Sequence, residues 1–487
     1  MTTLYLPLDR SEDVPIHRQI YQGLRRAILD GQLRPGQRIP STRALSLELE
    51  VSRQPVLAAY EQLLHEGYLE GRAGSGTFVS VALPDELLKA TSKRTKTRAA
   101  ASPPPAPSGG NDGLGPFRMS LPALDMFPGV LWARLLARNA RALTQAQMAY
   151  GDPAGLMSLR AAVAEHLRTA RGVNCEAEQV LIGAGSQAAL RVAAAALLER
   201  GDRVAMEEPG YPGARAAFDA AGATVKAVPV DAEGMNVTAL QRLRGQVRAA
   251  YVTPSHHYPL GTTMTAARRL ALLDWAYQKG AWVLEDDYDS EYRYVSRPLG
   301  ALQGMDTQER VIYIGTFSKV LFPSVRVGYL VVPPSLWQRF VAARMALDLF
   351  SPTLYQLALA EFLREGHFAR HLRRMRGIYL QRRNALLVGL ERHCSDRVAV
   401  HNADAGLHVA VLLAEGLDDA DVVRRMARRG LTATPLSTCF AGGSKRNGLL
   451  LGFGGSDERR LLEATRVLGE VLIDYDNAHV TRIAATP

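Results

Sequence analysis

The 487-residue chain predicts two folds in series. A small α+β winged helix-turn-helix is expected at residues 10–80. A larger α/β fold with a largely parallel sheet and a small α+β C-terminal lobe is expected at 117–487. Three observations carry this. A helical pattern, a helix-turn-helix pattern and a strand–glycine–strand pattern follow one another before residue 80. From Phe117 onward, short apolar runs alternate with helical periods, as in a parallel sheet covered by helices. Between the two, residues 81–116 carry no hydrophobic period.

The elements follow in order. Ile16, Ile20, Leu24 and Ile28 recur every four residues and predict a first helix with Gly31 as its C-cap. Ser41 is set to cap a second, short helix that turns Leu45 and Leu49 inward. After the Val51-Ser52 turn, Ser52 caps a third helix from Arg53 to about Glu66. Pro55 sits in its first turn, where a missing N–H costs little. Gly67 ends that helix, and Tyr68 to Val79 reads as two strands around Gly74-Ser75-Gly76. Lys89, Lys93, Arg94, Lys96 and Arg98 then precede the proline-rich run from Ser102 to Gly110, a semi-extended tether with solvated charges. Beyond it, strands are expected at Val180–Ile182, Val204–Met206, Ala250–Thr253, Trp282–Glu285, Val311–Ile314 and Gly328–Val332, thinning out after about Val341.

Composition narrows the class. With 47% hydrophobic and 22% charged residues, sizeable cores can be buried. Cys175, Cys394 and Cys439 form no disulfide framework and no zinc spacing, which favours a reducing compartment. The start of the chain lacks a secretory pattern, and the most apolar helical stretch, Ala188 to Leu198, carries Arg191 and is too short to span a bilayer. A cytoplasmic protein without membrane contact is expected. The formal charge of +10 hints at an anionic partner, but residues 1–80 hold nine arginines and nine acids. Any DNA contact must therefore be argued from where the arginines stand.

One stretch carries most of the chemistry. Val311 to Ile314 is apolar, then Gly315-Thr316-Phe317-Ser318-Lys319 brings hydroxyls and an amine, and Arg326 stands seven residues on. An amine for an aldehyde, with hydroxyls and a guanidinium for a phosphate ester, is the set that pyridoxal 5′-phosphate needs. Gly183-Ala184-Gly185-Ser186-Gln187 follows a strand and opens a helix, an anion site by the helix-dipole argument. In Glu285-Asp286-Asp287-Tyr288, a buried strand ends in acids, which is costly without a partner. Asp286 could hold a pyridine nitrogen protonated and Tyr288 could bond a ring oxygen. Tyr211 offers a ring to stack at another strand end. His256-His257 invites a metal reading, but no cysteine or carboxylate lies nearby at ligand spacing, so no metal is expected. In the small fold, Ser52, Arg53 and Gln54 begin the helix that would reach base edges, and Ser41, Thr42 and Arg43 sit where a phosphate would. Arg72 and Ser75 belong to the wing.

The ordered motifs PGQRIPSTRAL, VSRQPV, AYEQLLHEGYLEGRAGSGTFV, YGDPAG, EEPGYPGAR, EDDYDSEYRY and GTFSK make the chain similar to the MocR/GabR family of bacterial transcription regulators. In that family a GntR-type winged helix is joined to a domain of the pyridoxal-phosphate-dependent transferase fold type I. The resemblance implies Lys319 as the Schiff-base lysine, Asp286 on the pyridine nitrogen, Tyr288 on the phenolic oxygen and Tyr211 on the ring face. Gly185, Ser186, Gln187, Thr316, Ser318 and Arg326 would surround the phosphate. It implies a double-stranded operator, an amine, amino-acid or pyridoxal-phosphate effector, and a head-to-tail homodimer with exchanged winged helices. The alternative is an active aminotransferase with an appended DNA-binding domain. Two departures stand out: His257 replaces a usual glutamine, and Leu450 stands where a carboxylate-clamping arginine is expected, with Arg446 the nearby candidate to substitute. Leucine there points away from amino-acid turnover and modestly towards pyridoxal phosphate itself as effector.

Overall fold

In a computed structural model, the described residues are 6, 8–9, 14–72, 74–83, 114–295, 300–442 and 445–484, with side chains described up to 475. The chain divides into two compact units, residues 1–110 and 111–487. Most of the expected tether, residues 84–113, lies outside the described residues.

The first unit is built on a three-helix core with a hairpin. Helices α1 (Ile16–Leu29), α2 (Thr42–Glu48) and α3 (Arg53–His65) precede strands β1 (Leu69–Arg72) and β2 (Gly76–Val79). The four-residue spacing works as expected, since Ile20, Leu24 and Ile28 are buried against Leu45, Val56, Leu63 and Val79. Each such side chain contributes about 1.5–3 kcal/mol by leaving water. Ser41 caps α2, its Oγ accepting the Ala44 N–H at 3.2 Å. Two cap expectations need correction. The C-cap of α1 is Asp30, and Gly31 follows in the left-handed region at φ 75°, where its missing Cβ removes the strain. Ser52 holds the N-cap position of α3, but its side chain accepts no cap bond. β1 and β2 pair antiparallel, Leu69 opposite Val79 and Arg72 opposite Gly76.

In the second unit an eight-stranded sheet carries the chemistry. Its strands are β3 (Val180–Gly183), β4 (Arg203–Glu208), β5 (Thr224–Asp231), β6 (Gly234–Met235), β7 (Ala249–Val252), β8 (Trp282–Asp287), β9 (Val311–Thr316) and β10 (Gly328–Val331), in the order β3-β10-β9-β8-β7-β4-β5-β6. β9, β8, β7, β4 and β5 pair parallel in turn, while β10 runs against both β3 and β9. Alternate residues face opposite sides. Leu284 and Ile314 join the core under helices α4 (Ser186–Leu197) and α5 (Pro212–Ala220), while Val283 and Val311 meet α6 (Ala266–Lys279). All six expected strands are present. The C-terminal lobe is α+β as expected, with β11 (Val398–His401), β12 (His408–Leu413), β13 (Thr434–Pro435) and β14 (Gly448–Gly452) in an antiparallel sheet ordered β11-β12-β14-β13.

This topology dictates where a site can form. β3, β4, β7, β8 and β9 all run the same way, so the residues after them emerge at one edge. β10 runs backwards, which returns the residues before it, including Arg326, to that edge.

Candidate cofactor cleft and DNA-contact surface

At this edge Lys319, Asp286, Tyr288, Tyr211 and Ser186 line one cleft, together with Ser120, Tyr251 and Tyr258. The three acids that close β8 have separate duties. Glu285 accepts the N–H groups of Leu302 and Gln303, each at 2.8 Å. Asp287 takes the buried Arg171 guanidinium at 2.8 Å and the Tyr313 hydroxyl at 2.6 Å. Burial raises the Asp287 carboxyl, but Arg171 together with the Ser290 and Tyr313 hydroxyls outweighs it, so its pKa lies below the usual carboxylate range. Asp286 differs from both. Its Oδ2 accepts the Tyr251 hydroxyl at 2.7 Å, while Oδ1 is buried without a hydrogen-bond partner in the protein. Burial pushes its pKa up to about 7.

Lys319 follows β9 and keeps part of its surface towards the cleft, with Nζ donating to the Ser120 carbonyl at 3.4 Å. Removal from water lowers its pKa to about 8, and Arg326 pushes the same way against the opposing pull of Asp289 and Asp286. The Tyr288 hydroxyl lies 3.0 Å from His256 Nδ1, which is itself 2.9 Å from Asp289 Oδ1. His408 approaches this group while its Nε2–H donates to the Pro259 carbonyl at 3.0 Å. His256, Asp289 and His408 could thus surround a metal ion. The 2.9 Å spacing is that of a hydrogen bond, shorter than the roughly 3.3 Å between ligands of a tetrahedral zinc with bonds of about 2.0 Å. Because Asp289 and Tyr288 meet the same nitrogen, His256 Nδ1–H is shared between the Asp289 carboxylate and the Tyr288 oxygen, and we read the group as a buried clamp that orients Tyr288. His257 lies apart from the cleft lining. It is buried, its Nδ1 accepts the Leu260 N–H, and its Nε2 stays 3.7 Å from Glu207.

The residues expected around a phosphate divide into two groups. Gly185 (φ 89°) and Arg326 are neighbours, since a Cβ on Gly185 would lie 3.3 Å from the Arg326 guanidinium, and Ser186 opens α4 beside them. Arg326 is exposed. Ser318 Oγ is buried with no partner, while Thr316 Oγ1 accepts the Ser318 N–H at 3.2 Å. Gln187 is engaged elsewhere, because its Nε2 donates to the Gly213 carbonyl at 2.8 Å and its Oε1 faces the Tyr211 hydroxyl at 3.3 Å. It steadies the Tyr211 ring, which also meets Tyr258 edge-on at 5.2 Å. Sequence reasoning did not find Tyr251, Ser120, Tyr258 or the His256–Asp289 pair as site residues. Only the pairing of β7 with β8 brings Tyr251 to Asp286, and no local spacing signals it.

On the first unit, Ser41, Arg43, Ser52, Arg53, Gln54, Arg72 and Ser75 are exposed, and Thr42 is half-buried. Arg53 Nε donates to Thr42 Oγ1 at 3.2 Å, which joins the starts of α2 and α3. Arg72 is held by Glu70 at 2.6 Å and lies over the Phe78 ring at 4.6 Å. Arg38, not anticipated, is exposed beside the wing, 3.0 Å from where a Gly76 Cβ would stand.

Residues 16–79 match the bacterial regulatory proteins of the gntR family, and residues 131–447 match aminotransferase class I and II. The chain is 39% identical to a probable rhizopine catabolism regulatory protein MocR of Rhizobium meliloti, over 97% of each chain. The chain belongs to the MocR-type regulators. It is also 36% identical to the pyridoxine biosynthesis transcriptional regulator PdxR of Corynebacterium glutamicum, covering 95% of this chain and 97% of that one. Among solved structures, LysN, an α-aminoadipate aminotransferase of Thermus thermophilus complexed with N-(5′-phosphopyridoxyl)-L-leucine, superposes with a TM-score of 0.69. It is 32% identical, over 74% of this chain and 92% of that one. As a MocR-type regulator, the protein is a DNA-binding transcription regulator whose second domain has the pyridoxal-phosphate-dependent aminotransferase fold. The cleft fits that cofactor: Asp286 Oδ1 is an orphan acceptor suited to a ring N–H, and Ser318 Oγ, next to Lys319, is an orphan hydroxyl suited to an anion. Among the described residues, no helix is long and apolar enough to cross a membrane.

Proposed function

We propose that this MocR-type regulator reads a small amine, or pyridoxal phosphate itself, through Lys319 and answers by changing its affinity for an operator. The observation that carries this reading is a lysine lowered to about pH 8 within a cleft where Asp286 holds an unpartnered oxygen. When bound, pyridoxal phosphate supplies an aldehyde that condenses reversibly with primary amines. With its pKa lowered to about 8, Lys319 keeps roughly a tenth of its Nζ neutral and nucleophilic at pH 7, far more than an ordinary lysine at about 10.4 does. Asp286, steadied by Tyr251, presents Oδ1 to a ring N–H. Tyr288, held by His256 and Asp289, presents its hydroxyl to a ring oxygen. Tyr211, braced by Gln187 and Tyr258, covers a ring face. Gly185, Ser186, Thr316, Ser318 and Arg326 form the anion cradle, with Gln187 acting on the ring rather than on the phosphate.

In the same reading, residues 10–80 bind DNA, 81–116 tether and 117–487 sense, and the protein works in the cytoplasm. Ser52, Arg53, Gln54 and Arg38 meet the duplex, with Ser41, Thr42, Arg43, Arg72 and Ser75 at its backbone. A homodimer is proposed on the face where Tyr150 is 86% and Met148 65% exposed, beside Leu347 and Leu349. Tyr150 meets Phe350 edge-on at 5.9 Å, so this apolar face joins residues 148–150 to 347–350. The test is borohydride reduction of the pyridoxal-phosphate-loaded protein followed by peptide mass analysis. Label on Lys319, absent from Lys319→Ala, is expected; label on another lysine overturns the assignment.

A further inference from the structure

Resting on that reading, we infer that the ligand admitted to the cleft is a primary amine whose amine-bearing carbon carries no carboxylate. The residues around Lys319 divide by chemistry. On the cofactor side stand Asp286, Tyr251 and Tyr288. Tyr258, whose ring lies 6.0 Å from that of Tyr288, also lines the cleft and packs on an apolar cluster of Leu260, Leu436 and Leu450, with Met119, next to cleft-lining Ser120, against it. Leu450 is fully buried at the centre of its sheet, opposite Ala410 of β12 and Thr434 of β13.

A carboxylate brought beside the reacting amine needs a cation or several N–H donors to replace its water. Among the described residues, Lys319 is the sole cation lining the cleft, and its Nζ is committed to the chemistry. Arg446, just before β14, is exposed and outside the lining. Arg215, the arginine behind the Leu450 cluster, lies outside the lining and donates through Nη2 to Glu208 at 3.2 Å and to the Cys439 carbonyl. His256, the imidazole nearest the cleft, is engaged through Nδ1 by Tyr288 and Asp289, while His257 and His408 lie outside the lining and burial holds both neutral, pushing them down to about 3 and about 4. An α-carboxylate here would be a charge removed from water among tyrosine and serine side chains with the apolar Leu450 cluster behind Tyr258, whereas an uncharged substituent carries no such cost. The discriminating element is the unfavourable burial of charge.

Matched pairs that differ only by the carboxylate decide this. Protein loaded with pyridoxal phosphate, the loading first verified by absorbance and borohydride trapping, is titrated with methylamine against glycine and with 2-phenylethylamine against L-phenylalanine. The shift of the cofactor band is followed. In both pairs the amine should reach half-saturation at a concentration at least about tenfold lower, a factor that corresponds to roughly 1.4 kcal/mol. Leu450→Arg should narrow or invert that ratio. Equal or tighter binding of the amino acids overturns the inference, as does a loaded protein that responds to none of the four. If Leu450→Arg folds and ranks the pairs as the wild type does, Leu450 is not the determinant and the inference fails. If that variant does not fold, the wild-type ranking decides alone. Failure to load pyridoxal phosphate at all would instead strike the proposed function.

Discussion

In the large unit, Asp286 and Ser318 each bury an oxygen that no protein group satisfies, whereas in the winged helix Arg43, Arg53 and Gln54 stand in solvent over a plain apolar core. The cleft stores its function as unmet hydrogen-bonding demand, held in place by a sheet that tolerates the cost. The winged helix stores its function as geometry, in charges set on short helices by Leu45, Val56 and Leu63. Substitutions in the cleft should therefore change chemistry at fixed stability, while substitutions below the DNA surface should change stability at fixed chemistry.

The largest break in that contrast comes from Lys319→Ala. It should abolish the borohydride-stable adduct completely and leave the thermal midpoint of the winged helix unmoved, as read by calorimetry. Next, Leu63→Ala should destabilise the winged helix by about 2–5 kcal/mol because Leu63 is fully buried. DNA binding should fall with it, while the cofactor band persists. A smaller effect is expected of Arg53→Ala, which should weaken operator binding by roughly 1–3 kcal/mol if it reads a base. Unchanged affinity in a fluorescence titration would reduce it to a brace for Thr42.

The cleft also predicts a pH profile. Lys319 is lowered to about 8, so its neutral amine accumulates as pH rises through that value. The rate at which cofactor-free protein takes up pyridoxal phosphate should climb between about pH 7 and 9 and then level off; a rate that rises on towards the usual lysine range near 10.4 would contradict the burial argument. The smallest effect separates the two serines at helix starts. Ser41→Ala should cost about 1 kcal/mol, and Ser52→Ala less, because only Ser41 bonds a backbone N–H.

How much of this was legible in the sequence depended on range. The run from Val311 to Lys319 showed its strand and its amine because both signals are local, and the motif order of the winged helix did the same. β5 escaped because Thr224 to Asp231 is mostly half-buried or exposed and lacks an apolar run. Asp286 was visible as one of three acids, but only the partners of Glu285 and Asp287, drawn from residues up to 116 positions away, show which acid is left unsatisfied. Gln187 read as a phosphate ligand from its place at a helix start, yet Gly213 and Tyr211 claim its amide, a competition invisible without the fold.

The central claim is that cleft and operator binding are coupled, and a titration of operator affinity by fluorescence anisotropy, with and without pyridoxal phosphate and then with added methylamine, tests it most directly. The account predicts that one of these ligands shifts the dissociation constant of the wild type by at least about fivefold, the lower range of allosteric coupling, and leaves Lys319→Ala unmoved. Equal affinities for wild type under all three conditions, or an equal shift in the variant, would contradict it.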